Sequence, residues 1–70
     1  MKFAVVIEKA KGNYSAWVPD LPGCIAVGDT EAETEEEIRK AIEFHIEGMR
    51  LDGLPIPQPG SSVRTVEVAA

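Results

Sequence analysis

The chain has one cysteine, Cys24, and one histidine, His45, in 70 residues. A lone cysteine forms no disulfide within the chain, so this is not the pattern of a secreted, disulfide-stapled scaffold. One Cys and one His supply no ligand cluster for structural zinc. No apolar run approaches the roughly 20 residues a membrane span needs. The start, Met1-Lys2-Phe3-Ala4, lacks a long apolar signal region. A soluble cytoplasmic protein with no membrane contact is the expectation. Basic residues are also scarce: 7 Lys and Arg face 12 Asp and Glu, a formal net charge of -5. Binding to phosphate backbones draws on clustered Lys and Arg, so direct nucleic-acid binding is not expected. The acidic balance suits a basic partner. Plain solubility is the simpler reading of the charge alone.

Seventy residues allow one small domain, 1–70. A core of this size rarely supplies more than about 3–5 kcal/mol. With disulfides and zinc excluded, self-association is the support that remains, so a homo-oligomer, a dimer or tetramer, is expected.

Residues 2–9, KFAVVIEK, put Phe3, Val5 and Ile7 on one face and Ala4 and Val6 on the other. That alternation reads as a strand. Lys11-Gly12-Asn13 is turn chemistry, and YSAWV, 14–18, reads as a second strand joined to the first in a hairpin. Pro19 lacks an N–H and ends the ladder. Pro22-Gly23 in the stretch DLPGC suits the centre of a type II turn. Ile25-Ala26-Val27 reads as a third strand. Thr30-Glu31-Ala32-Glu33 then fits a capping box. The five Glu between 31 and 37 sit where a helix N-terminus favours negative charge. Ile38, Ala41, Ile42, His45, Ile46 and Met49 follow the spacing of a buried helical stripe. Gly53 is placed as a left-handed C′ residue. Leu54 to Gly60, LPIPQPG, reads as a stiff extended return, because each proline restricts the residue before it. VRTVEV, 63–68, has period two and reads as a fourth strand.

The expected class is therefore α+β, in the order β-β-β-α-β, with one helix on one face of a small sheet. One helix covers one face only. Strand one is apolar on both faces, so an uncovered face invites an oligomer or a partner. Trp17 on that sheet, Phe44 and Gly48 off the main helix stripe, and Ile56 in the return are the candidate oligomer contacts. Gly48 costs about 1 kcal/mol in a helix interior, which a close-packed neighbour would explain.

The residues now carry a resemblance. Pro19-Asp20-Leu21-Pro22-Gly23-Cys24, then Gly28-Asp29-Thr30, then the Glu-rich helix, then Asp52-Gly53-Leu54-Pro55-Ile56-Pro57 and Pro59, resemble the HicB-type antitoxins, also described as the UPF0150 group. The match runs in order over nearly the whole chain. It implies a partly degraded RNase H-like unit that forms dimers or larger assemblies. It implies an antitoxin whose partner is a small, basic HicA-type toxin, a ribonuclease that cleaves messenger RNA using a histidine. No cofactor and no catalysis by this chain are expected. Many members carry a C-terminal DNA-binding segment. The sequence resembles a short form without one, so autorepression by this chain alone is not expected.

The candidate toxin contacts are Asp20 and Leu21, taken as exposed at the corner, and the helix acids Glu33, Glu36 and Glu37. The acids read as mimics of RNA phosphates meeting a basic toxin face. The plainer reading is a solvated, dipole-stabilised helix start. The return and the open sheet face are further contact candidates, with packing on the same chain as the plain alternative. A nuclease site of the RNase H type needs carboxylates converging on two cations. The centre of strand one is Ala4-Val5-Val6-Ile7, which supplies none. Cys24 would need a base to act as nucleophile. His45, the only candidate, falls on the buried stripe, so Cys24 reads as a small buried hydrophobe. His45 itself reads as a partly buried residue with one ring nitrogen satisfied. The competing function is a stand-alone structural or regulatory homo-oligomer with no toxin partner.

Overall fold

The computed structural model describes residues 1–69. Three strands, β1 (Val6–Ala10), β2 (Asn13–Trp17) and β3 (Ile25–Gly28), precede one helix, α1 (Glu31–Leu51). The sheet is antiparallel in the order β1-β2-β3, with Ile7 opposite Ala16 and Ala16 opposite Ala26. The two-residue connection Lys11-Gly12 closes the first hairpin, and Gly12 takes a left-handed φ of 84°. The α+β class is the expected one.

The corner after β2 is a pair of tight turns. Leu21 N–H donates to the Val18 carbonyl at 3.1 Å, and Cys24 N–H donates to the Leu21 carbonyl at 3.1 Å. Gly23 has φ 84°. The second turn therefore has the type II arrangement expected for Pro22-Gly23. It directs Leu21 and Cys24 inward, into a core with Ala16, Val18 and Ile38.

Helix α1 is stopped at both ends by side-chain and backbone chemistry. Thr30 is the N-cap, and its hydroxyl accepts from Glu33 N–H at 3.1 Å. Only this half of the capping box forms. At the C-terminus Gly53 has φ 69°, Gly53 N–H donates to Arg50 and Leu54 N–H donates to Met49. That pair of bonds is the Schellman motif. Between β3 and the helix the backbones nearly touch: a methyl group on Gly28 would lie 2.6 Å from Thr34 Oγ1. The buried Thr34 hydroxyl donates to the Thr30 carbonyl at 2.7 Å, so it leaves no unpaired polar group.

Two elements differ from the sequence expectation. Strand one pairs from Val6, not from Lys2, because β2 ends at Trp17 and the chain turns away at Pro19. Residues 2–5 run on past the end of their neighbour. The segment 63–68 is not a strand: residues 61–69 are exposed and carry no ladder. Period two reports an extended chain, but a strand also requires a neighbouring edge. The long axis of the molecule, 48 Å, exceeds the roughly 31 Å of a 21-residue helix.

Candidate functional site

Asp20 sits at the corner between β2 and β3, half-buried. Its carboxylate accepts from Gly60 N–H at 3.0 Å, from Ser61 N–H at 2.9 Å and from the Ser61 hydroxyl at 2.9 Å. These bonds, Ser61 N–H foremost, lower the Asp20 carboxyl below its ordinary range. Asp20 is therefore a clamp that fixes where the proline-rich return ends and the arm begins. Ile56, Pro57 and Pro59 of the return are half-buried, so the stiff run packs on the body before it reaches the clamp.

Leu21 is a correction. It was expected at the surface beside Asp20, yet it is fully buried in the core. The turn that exposes Pro22 and Gly23 forces the intervening Leu inward. Leu21 offers no contact surface in this fold.

The three helix acids are exposed. Glu36 pairs with Arg39 at 3.6 Å and Glu37 with Lys40 at 3.4 Å, both between exposed side chains and of little energetic weight. Successive helical residues rotate by about 100°, which places Glu33, Glu37, Phe44, Gly48 and Leu51 on one flank. That flank is acidic at its start and apolar at its end. Phe44 is 83% exposed and Leu51 79%. Gly48 lies on it with open space where a side chain would stand.

The sheet face away from the helix is the second open surface. Trp17 is 41% exposed there, with Ile25 and Val27 beside it across β3. The Trp17 indole N–H donates to Glu8 at 3.0 Å, which holds the ring across the face. Sequence reasoning named Trp17 but missed Ile25 and Val27, because a short apolar strand reads the same from either side.

A third surface went unforeseen. The overhanging strand start and the helix leave an open groove of about 670 Å³, walled by Phe3, Val5, Ile42 and Ile46 and rimmed by Glu43 and Glu47. The signal for it was the width of the Ile38-Ile42-Ile46 row, more apolar surface than three strands cover.

Cys24 is buried, and burial raises its thiol pKa, so it lacks thiolate character. His45 is half-buried on the sheet-facing side. Contrary to expectation, its ring makes no hydrogen bond among the described residues. Among the described residues no three His, Cys, Asp or Glu side chains gather into a metal site, and no helix is long and apolar enough to cross a membrane. The exposed chemistry is that of a binding surface: two apolar patches, an acidic helix start and a groove.

Comparison with known proteins places this architecture. The family described as the HicB-like antitoxin of bacterial toxin–antitoxin systems matches residues 3–69. A UPF0150 protein of Thermoplasma acidophilum is 37% identical over 67 residues, covering 94% of this chain and 97% of its own length. A UPF0150 protein of Synechocystis is 34% identical over 67 residues, covering 94% of this chain and 85% of its own. An uncharacterized 14.9 kDa protein of Haemophilus phage HP1 is 43% identical over 58 residues, and this chain spans only 44% of its length. Among solved structures, a chain of a HicA3 and HicB3 toxin–antitoxin complex aligns with a TM-score of 0.74 and 28% identity, over 86% of this chain and 70% of that one. With its family match running almost end to end, the chain belongs to the HicB-like antitoxin family of bacterial toxin–antitoxin systems.

Proposed function

We propose that this chain is an antitoxin that binds a small, basic HicA-type ribonuclease and covers its RNA-binding and catalytic surface. The supporting observation is the solvent flank of α1. It sets Glu33 and Glu37 in line with the exposed Phe44 and Leu51. A nuclease surface that binds phosphates is basic, and acidic side chains there speed encounter and set orientation. Apolar side chains next to them supply the desolvated contact that charge alone does not. Glu36 lies next to this flank on the helix; Asp20 is a separate proposed contact at the corner, and Leu21 is excluded by burial. The binding is steric and electrostatic, with no covalent step and no cofactor.

Self-association belongs to the same reading. The open sheet face around Trp17, Ile25 and Val27 supports it; Ile56 packs on the body, and the Phe44–Gly48 turn would serve one partner at a time. A homo-oligomer with no toxin partner is the alternative function, and the groove is the feature that favours it.

Co-expression with the product of a neighbouring small, strongly basic reading frame carrying one essential histidine is the test. Rescue of growth by the wild-type chain, and its loss when Glu33, Glu36 and Glu37 are all changed to Lys, is the expected outcome. Rescue that survives the triple reversal would remove the acidic flank from the contact. Failure of the wild-type chain to bind the product would remove the antitoxin reading.

A further inference from the structure

The solvent flank of α1 carries a notch and an unpaired charge, about four turns apart. The notch is Gly48. Phe44 lies one turn before it and Leu51 one turn after, both exposed. No atom of the chain comes within 4 Å of where a Gly48 side chain would begin. Glycine in a helix interior weakens the helix, and no contact within the chain requires it here. The charge is Glu33. Of the three acids on this side it alone has no cationic partner among the described residues, whereas Glu36 pairs with Arg39 and Glu37 with Lys40. Fifteen residues separate Glu33 from Gly48, about 22 Å along the helix axis.

We infer that the partner lays an α-helix antiparallel along this flank, with a bulky apolar side chain seated over Gly48 between Phe44 and Leu51 and a Lys or Arg about four turns further on at Glu33. This names the element by which the basic partner proposed above is held, and it rests on that reading. Three features commit the occupant to a basic amphipathic helix. A missing side chain between two exposed apolar ones lets a second helix approach closer than the usual spacing of about 8–10 Å and receives a knob from it. Seven Glu stand against three Lys and Arg in α1, so a second copy of α1 brings the same excess charge, while a basic helix is attracted. The antiparallel lay sets the partner helix's C-terminus, where Lys and Arg are favoured, over the acidic first turns of α1.

The test uses the full chain and the purified product of the neighbouring basic reading frame, with its essential histidine substituted so that it leaves RNA intact. Gly48→Leu fills the notch. It should raise the melting temperature of the chain alone, since a better helix former enters open space, and weaken binding by about thirty-fold or more in calorimetry. That loss should be alike at low and high salt. Glu33→Lys should weaken binding by about ten-fold at low salt and much less at high salt. The two sites are far apart, so the double variant should show the product of the two losses. Gly48→Ala, with a single methyl, should bind between wild type and Gly48→Leu. A Gly48→Leu chain that binds as wild type would overturn the helix seat and leave the acidic contact standing. A lowered melting temperature would place Gly48 in packing within the chain and overturn the open notch. A lower mass for Gly48→Leu alone in light scattering would assign the notch to a second copy and overturn the basic helix. A wild-type chain that does not bind the product would overturn both this inference and the antitoxin reading.

Discussion

The corner at 20–24 and the arm at 61–69 are short stretches of similar promise in sequence and opposite fate in structure. The corner closes on its own chain. Two turns lock it, and Leu21 and Cys24 complete the core. The arm closes on nothing within the chain, and Val63, Val66 and Val68 remain 60–79% exposed. Asp20 ties the two together, with one foot in the corner and its carboxylate on the root of the arm. The contrast teaches a division of labour. Local turn chemistry builds the platform, and the arm stays outside it.

The contrast breaks most visibly at Leu21. Leu21→Ala should cost about 2–5 kcal/mol, close to the whole margin of a core this small, and urea unfolding should find the chain largely unfolded. A small loss there would mean the corner is not the centre of the core. Gly28→Ala comes next. Its new methyl meets Thr34 at the closest approach of sheet and helix, and a loss of about 1–3 kcal/mol is expected from thermal melts. Thr30→Ala removes the N-cap and should cost about 1 kcal/mol in the same measurement.

Asp20 sharpens the comparison without large change in global stability. Its folded carboxyl is lowered, so the clamp is fully present above the ordinary carboxyl range. It is lost as pH falls below about 4, through the lowered value. The Gly60 and Ser61 amide resonances should follow that titration, and Asp20→Asn should abolish it while the core amides stay protected. Smallest of all, Val68→Asp should leave the melting temperature unchanged at concentrations where the chain is monomeric, since the side chain touches no core residue of its own chain. A marked drop would place the arm in the core instead.

Much of this was legible in the residues. Turn and cap chemistry acts over four to six positions, so Gly23, Thr30 and Gly53 announced the second corner turn and both helix ends. The helix stripe from Ile38 to Met49 announced which side meets the sheet. Less legible was whatever depends on distant neighbours. The clamp joins residues 40 and 41 positions apart, and no spacing in the sequence marks Gly60 and Ser61 as donors to Asp20. Leu21 was misread because a turn residue next to Asp and Pro looks solvent-facing, although the geometry of two successive turns points it inward. The fourth strand was over-read because alternation describes a chain's shape and says nothing of which edge it meets. The acidic residues were found, but the Phe44–Leu51 half of their flank emerged only once the helix placed them in line.

Toxin capture is the claim on which the functional account stands, and an RNA-cleavage titration tests it most directly. A purified small, basic HicA-type ribonuclease from the same genome, held at fixed concentration, should lose its cleavage of messenger RNA as this chain is added. Activity should reach background near equimolar chain and return at high salt when Glu33, Glu36 and Glu37 are involved in the contact. Cleavage that continues undiminished in a large excess of folded chain would contradict the account.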